Sequence, residues 1–173
     1  MGGETRRFDT SDPDAKADAF ATIYWWLRSL PDEAELRRIC RELAVGAGVA
    51  VDGICRELCM SWEEIGPMAE DQTITIGAHT DTHIMLAKAS ESVVRQEMAV
   101  GADKIAAHFG DRPRHFAYPV GDPTSAGRRE FAVAAELGFA SGTTTRPGVL
   151  FPEHGEHMTA LPRISVNGDF QRF

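Results

Sequence analysis

Thr75-Ile76-Gly77-Ala78-His79-Thr80-Asp81-Thr82-His83 is the stretch on which the reading of this chain turns. Ile74 to Ala78 is apolar and β-prone, which predicts a strand, and two histidines four positions apart follow directly. Imidazole nitrogen is the commonest protein ligand for a zinc-type ion, and a catalytic site needs about three protein ligands plus an open position. Here two ligands are easy to find and the third is not. The pair is not the zincin motif, because Thr80 and not Glu follows the first histidine. The pair alone also fits a turn or helix start with hydrogen-bonded histidines.

Outward from this stretch, the chain from residue 73 alternates strand, loop and helix. Val94, Met98, Ile105 and Phe109 mark an amphipathic helix from about Ser90, stopped by Gly110 and Pro113. Arg114 to Tyr118 predicts a second strand, and Gly121-Asp122-Pro123-Thr124 a turn. A helix from Ser125 to Leu137 ends at Gly138, Phe139 to Thr144 is a third strand, and Leu161 to Val166 a fourth. Strands spaced by helices of this size imply parallel β–α units with right-handed crossovers.

Residues 9 to 70 are helical in pattern. Asp12 caps a helix that has Pro13 at its first position and an apolar stripe at Phe20, Ile23, Tyr24 and Leu27. Leu36, Ile39, Cys40 and Leu43 form a second stripe closed by Gly46, and a short segment from Asp52 to Met60 follows. Ser61-Trp62-Glu63-Glu64 is a capping box opening a helix through Met68. The spacing of Tyr24, Trp25 and Trp26 predicts at least one indole in a core, and Trp62 is expected beneath its own helix start. The division expected is a helical segment at 1–70 and an α/β part at 71–173.

At 173 residues the chain is one domain's worth. A formal charge of −8 and a pI near 5.2 argue against nucleic acid or anionic membrane as partner. No apolar run approaches a membrane span, and the first residues do not resemble a signal peptide. Three cysteines, Cys40, Cys55 and Cys59, without a signal peptide read as reduced thiols in the cytoplasm, buried as small hydrophobes.

A second motif is Arg114-His115-Phe116-Ala117-Tyr118-Pro119-Val120-Gly121. A strand ending in Pro-x-Gly exposes backbone N–H groups at its tip, and each such donor contributes roughly 3 kcal/mol when aimed at an oxyanion. Arg114 could hold a carboxylate through a fork of hydrogen bonds. His115 alternates with Phe116, so that one faces in and one out. His108 and His115 are expected to be structural, and His154 and His157 form a separate His/Glu cluster in a loop.

The two motifs, in this order and separated by one β–α unit, resemble the polysaccharide deacetylases, the nodulation-type carbohydrate esterases. His79-Thr80-Asp81-Thr82-His83 is similar to the family's His-Ser/Thr-x-x-His metal motif, and Arg114 to Pro119 to its Arg-x-x-x-x-Pro motif. The resemblance runs over roughly residues 60 to 168, including Leu161-Pro162-Arg163-Ile164. It implies an incomplete (β/α) barrel with a helical N-terminal segment. It also implies a divalent metal, zinc, on His79 and His83, and hydrolysis of N-acetyl or O-acetyl groups on a carbohydrate. Arg114 and the Val120 N–H would be catalytic, and Tyr118, Pro119 and Gly121 would line the substrate.

The departures are as informative. The family's Thr-Phe-Asp-Asp-Gly motif, which supplies the general base and the third metal ligand, is not found; Arg7-Phe8-Asp9-Thr10 is a superficial echo. Arg163 stands where the family places its general acid, and a guanidinium cannot exchange a proton at neutral pH. The expectation is therefore the C-terminal part of a deacetylase, with little or no activity alone. Open strand edges would invite self-association or pairing with a separate N-terminal half. The alternative is a non-catalytic remnant that binds carbohydrate or a partner chain.

Overall fold

The computed structural model describes residues 6–166 and divides into two compact units, Met1–Val51 and Asp52–Phe173. The first unit holds α1 (Pro13–Ser29) and α2 (Glu33–Gly46). Asp12 accepts the Ala15 N–H at 2.9 Å and Pro13 opens α1, as its sequence predicts. Asp32 caps α2 through the Ala34 N–H at 2.8 Å.

The apolar stripes do not build the expected core. Only Ala19 of α1 is buried, and no residue of α2 is. Trp25 and Trp26 are 61 % and 50 % exposed, so neither indole is a core residue. Tyr24, Trp25 and Trp26 fan over more arc than one partner helix covers. The cysteines are corrected for the same reason. Cys40 lies on α2 and Cys55 on α3 (Val51–Leu58), helices without a buried residue, and both thiols are exposed, as is Cys59.

The second unit continues with α4 (Trp62–Glu70), α5 (Glu91–Phe109), β1 (His115–Ala117), α6 (Arg128–Glu136) and β2 (Ser141–Thr143). The capping box of α4 forms in both directions: Glu64 N–H to Ser61 Oγ at 3.2 Å, and Ser61 N–H to Glu64 Oε2 at 2.7 Å. Trp62 does not tuck beneath its own helix. It stacks on His108 of α5, with ring centroids 4.0 Å apart and planes 14° apart, and tilts against Phe109. An aromatic ring on the neighbouring helix offers more contact than the first turn of α4 does.

β1 and β2 run parallel in the register His115↔Ser141, Phe116↔Gly142, Ala117↔Thr143. Parallel bridges extend the sheet on both sides, Ala78 to Phe116 and Leu161 to Thr143. Spatial order therefore follows chain order, with α5 and α6 as crossovers. The architecture is α/β, an incomplete (β/α) barrel with a helical N-terminal part. The first and fourth expected strands shrink to single bridges. Among the described residues nothing pairs with the outer side of 74–78. Beyond Leu161, Pro162 has no N–H to carry a ladder onward.

The core lies between the sheet and the two crossover helices. Val94, Met98 and Ala102 of α5, Val133 and Ala134 of α6, and Phe116 of β1 are buried together with Leu86 and Phe139. His115 is exposed while Phe116 is 1 % exposed, the alternation a strand requires. Burial of the Phe116 side chain contributes about 1.5–3 kcal/mol. No described helix is long and apolar enough to cross a membrane.

Candidate functional site

Two backbone hydrogen bonds tie Ala78 to β1: its N–H donates to His115 O at 2.8 Å, and Ala117 N–H donates to its carbonyl at 2.9 Å. The next residue, His79, is thereby delivered to the C-terminal end of β1. Its Nδ1 lies 2.7 Å from Ala117 O. A carbonyl only accepts, so Nδ1 carries the proton and Nε2 presents its lone pair. This is the arrangement by which a backbone carbonyl fixes the tautomer of a metal-binding imidazole. The His83 ring lies 4.8 Å from that of His79, centroid to centroid, at 67°.

The intervening turn is sharply bent. Thr80 (φ 65°) and His83 (φ 59°) occupy the left-handed region, which disfavours side-chain-bearing residues. Thr80 Oγ1 accepts the His83 N–H at 3.0 Å and donates to His79 O at 2.6 Å. Glu97 on α5 accepts from the N–H groups of Asp81 and Thr82, at 3.1 and 2.8 Å. Among the described non-glycine residues only Val120 joins Thr80 and His83 at positive φ, and it follows β1. Strain of this kind concentrates where function requires it. Burial is the main cause holding His79 below the usual imidazole value, aided by His83 and by the charge of Arg163; the Ala117 bond opposes them.

The segment after β1 is a γ-turn. Val120 stands at φ 61° while Gly121 N–H donates to Pro119 O at 2.6 Å. Thr145 braces it, its hydroxyl on Val120 O at 2.6 Å and its N–H on Gly121 O at 3.0 Å. Gly121 has φ 69°, and a Cβ there would lie 2.8 Å from Thr145 N, so only glycine fits. Among the described residues the Val120 N–H donates to no protein acceptor.

Three residues are expected from the sequence to line the substrate. Tyr118, Pro119 and Gly121 are buried, and of this turn only Val120 is partly exposed. The Tyr118 ring packs edge-on against Phe116 and Phe131, and its hydroxyl donates to Thr159 O at 2.7 Å. Burial, with the nearby Glu130 charge, pushes its phenol well above the usual range. These residues support the turn from beneath. Arg114 is expected from the sequence to be catalytic. It precedes β1, about 13 Å of extended chain from Tyr118, and lines a cleft with Ile74, Thr75 and Ile76 at the opposite end of the strand.

The Arg163 N–H bonds Arg146 O at 3.1 Å, and its charge acts on His79. His154 is engaged with its own turn, its Nδ1 accepting the Phe151 N–H at 3.0 Å, and His157 lines a cleft with Arg128 and Phe131 of α6. Asp9 accepts the Ser11 N–H at 2.9 Å within its own turn. Among the described residues no group of three His, Cys, Asp or Glu side chains gathers to hold an ion. The donors present, two neighbouring imidazoles with one tautomer fixed, fit a zinc-type ion as two of its ligands. Beside His79 lies an open cleft of about 540 Å³, lined by Trp62, Thr80, Asp81, Lys104 and His108 among others.

The model of the polysaccharide deacetylase family matches residues 16–141. The chain belongs to that family. The match starts inside α1, so most of the helical unit falls within the matched range, and it ends at the first residue of β2. Among solved structures, the chain superposes on the Streptococcus pyogenes deacetylase PplD in complex with acetate. The TM-score is 0.55 at 23% identity, over 65% of this chain and 48% of that one. IcaB from Ammonifex degensii gives a TM-score of 0.55 at 27% identity, over 63% and 48% of the two chains. The deacetylase domain of BpsB from Bordetella bronchiseptica gives 0.52 at 23% identity, over 60% and 48%. The chain thus spans about half the length of these structures. No curated protein matches it.

The sequence singles out the histidines and the Pro-x-Gly turn as candidates; it does not single out the Ala117 carbonyl or Glu97. Ala117 directly precedes Tyr118 at a strand end, which was a usable signal. Glu97 lies 14 positions beyond His83 and only the fold connects the two.

Proposed function

We propose that this chain carries the histidine side of a metal-dependent deacetylase site for an N-acetylated or O-acetylated carbohydrate. The supporting observation is His79, whose Nδ1 is committed to Ala117 O and whose Nε2 is left to a ligand, with His83 beside it. A bound zinc-type ion would supply Lewis acidity toward the acetyl carbonyl and toward water. His79 and His83 would hold it. The Val120 N–H donates to the oxygen that becomes negative as the carbonyl is attacked. Arg163 adds positive charge at the same end and does not serve as an acid.

No carboxylate stands beside the pair in a group of three or more among the described residues. The chain alone is therefore expected to be a poor catalyst. Acetate release from N-acetylated chitooligosaccharides with added zinc tests this. The expected result is little turnover, with zinc binding abolished in His79→Ala and His83→Ala. Robust turnover that needs both histidines would overturn the impairment; zinc binding indifferent to both would overturn the site. The same lack of a base favours a second reading, a carbohydrate-binding module, for which sugar affinity would survive chelator.

A further inference from the structure

Glu97, Gly101 and Lys104 stand at positions i, i+4 and i+7 of α5 and so share one face of that helix. All three engage the histidine turn. The Glu97 carboxylate accepts from Asp81 N–H at 3.1 Å, from Thr82 N–H at 2.8 Å and from Thr82 Oγ1 at 2.6 Å. At Gly101 the turn lies against the helix so closely that a Cβ would sit 2.4 Å from Thr80 O. Lys104 pairs with Asp81, which draws that carboxylate toward the helix.

We propose that Glu97 is a positioning residue that holds the Asp81–Thr82 backbone so that His79 and His83 present their rings to a single ion. This rests on the reading of His79 and His83 as metal ligands. Two of the five turn residues sit at positive φ, and such a backbone persists only where its surroundings over-determine it. A carboxylate accepting two successive N–H groups and a hydroxyl does this, because charge-assisted bonds are the strong ones. Glutamate has the reach from α5 that aspartate lacks. Gly101 sets the distance at which that reach suffices. Ala117 orients the His79 ring; Glu97 orients the peptide that separates the two rings.

The test compares wild type, Glu97→Ala, Glu97→Gln and, on the same helix, Glu91→Ala, which removes only a surface partner of Arg95. Zinc affinity is measured by competition with a chromophoric chelator. Amide hydrogen exchange at Asp81 and Thr82 is measured without metal. Glu97→Ala is expected to weaken zinc about 10–100-fold, the range seen when groups that orient metal ligands are lost. It is also expected to speed exchange at both amides by roughly tenfold or more. Glu97→Gln, which keeps one acceptor oxygen and guards against misfolding of the alanine variant, should fall between. Glu91→Ala should match wild type in both readouts. Zinc affinity in Glu97→Ala equal to wild type, or undiminished protection of the two amides, overturns the inference and leaves the site reading intact. Wild-type protein that binds no zinc through His79 and His83 overturns the site reading, and this inference with it.

Discussion

Gly101→Ala separates two effects of opposite sign. In a helix interior, alanine is favoured over glycine by about 1 kcal/mol. At this position the added Cβ meets Thr80 O at 2.4 Å, Thr80 C at 2.5 Å and Asp81 N at 3.0 Å, all backbone atoms. The turn must lift away, because no flexible side-chain end is available to yield. Overpacking of this kind costs about 1–3 kcal/mol. Lifting the turn stretches the Asp81 N–H bond to Glu97, already 3.1 Å long, and a bond to a charged acceptor is worth about 1.5–3 kcal/mol. The net expectation is a loss of about 1.5–5 kcal/mol despite the better helix former. The control is Gly53→Ala on α3, where a Cβ would touch only the Glu57 carboxylate at 3.8 Å, so that stability holds or rises. Urea unfolding followed by Trp62 fluorescence, with Trp25 and Trp26 replaced by Phe, reports on the unit that contains α5. Gly101→Ala protein at least as stable as its parent would refute the close seating of the histidine turn on α5.

His79 is held below the usual imidazole value of 6.5, so the unfolded chain binds more protons than the folded one. Its contribution to stability is therefore complete above pH 6.5 and is lost as pH falls through the lowered folded value, a slope that His79→Asn should flatten in urea midpoints taken without metal. Val120→Gly relieves a β-branched residue of a left-handed conformation costing about 1–2 kcal/mol, offset by glycine's added chain entropy of about 0.5–1 kcal/mol. The variant should gain up to about 1.5 kcal/mol in urea unfolding with zinc affinity unchanged, and a clear loss would count against the strained turn. Arg114→Ala, at the far end of β1, should leave both zinc affinity and sugar affinity as they are; a drop in either would return Arg114 to the site.

Much of the fold was legible because its local signals are self-contained. Asp12 with Pro13, Ser61 with Glu64, and Gly138 after α6 each act within a few residues of chain. The alternation of His115 and Phe116 likewise needs only the pleat. What escaped depends on partners distant in sequence. Trp25, Trp26 and the three cysteines carry core-like patterns, but whether a helix stripe is covered depends on how much partner surface faces it. Ile74 to Ala78 has strand composition, yet it pairs with β1 only at Ala78, and among the described residues no strand lies on its other side.

The site divides in the same way. His79 and His83 stand out as a motif, and so does the turn at Val120. Arg114 was placed by the motif resemblance, and the strand direction carries it to the other end of β1. Tyr118 looked like an aromatic wall for a sugar, but the residue that ends a buried strand of this register faces the core, and its hydroxyl satisfies Thr159 O. Glu97 carries no motif, because α5 brings it to the turn only after the β–α unit has closed.

The central claim is that His79 and His83 share one ion. X-ray absorption on the zinc-loaded chain tests it most directly, since imidazole nitrogen at about 2.0 Å and thiolate sulfur at about 2.3 Å are resolved as separate shells. Two imidazoles per zinc, falling to one in either His79→Ala or His83→Ala, is the predicted result. A sulfur shell from the exposed Cys55 and Cys59, or an imidazole count that neither substitution changes, would contradict it.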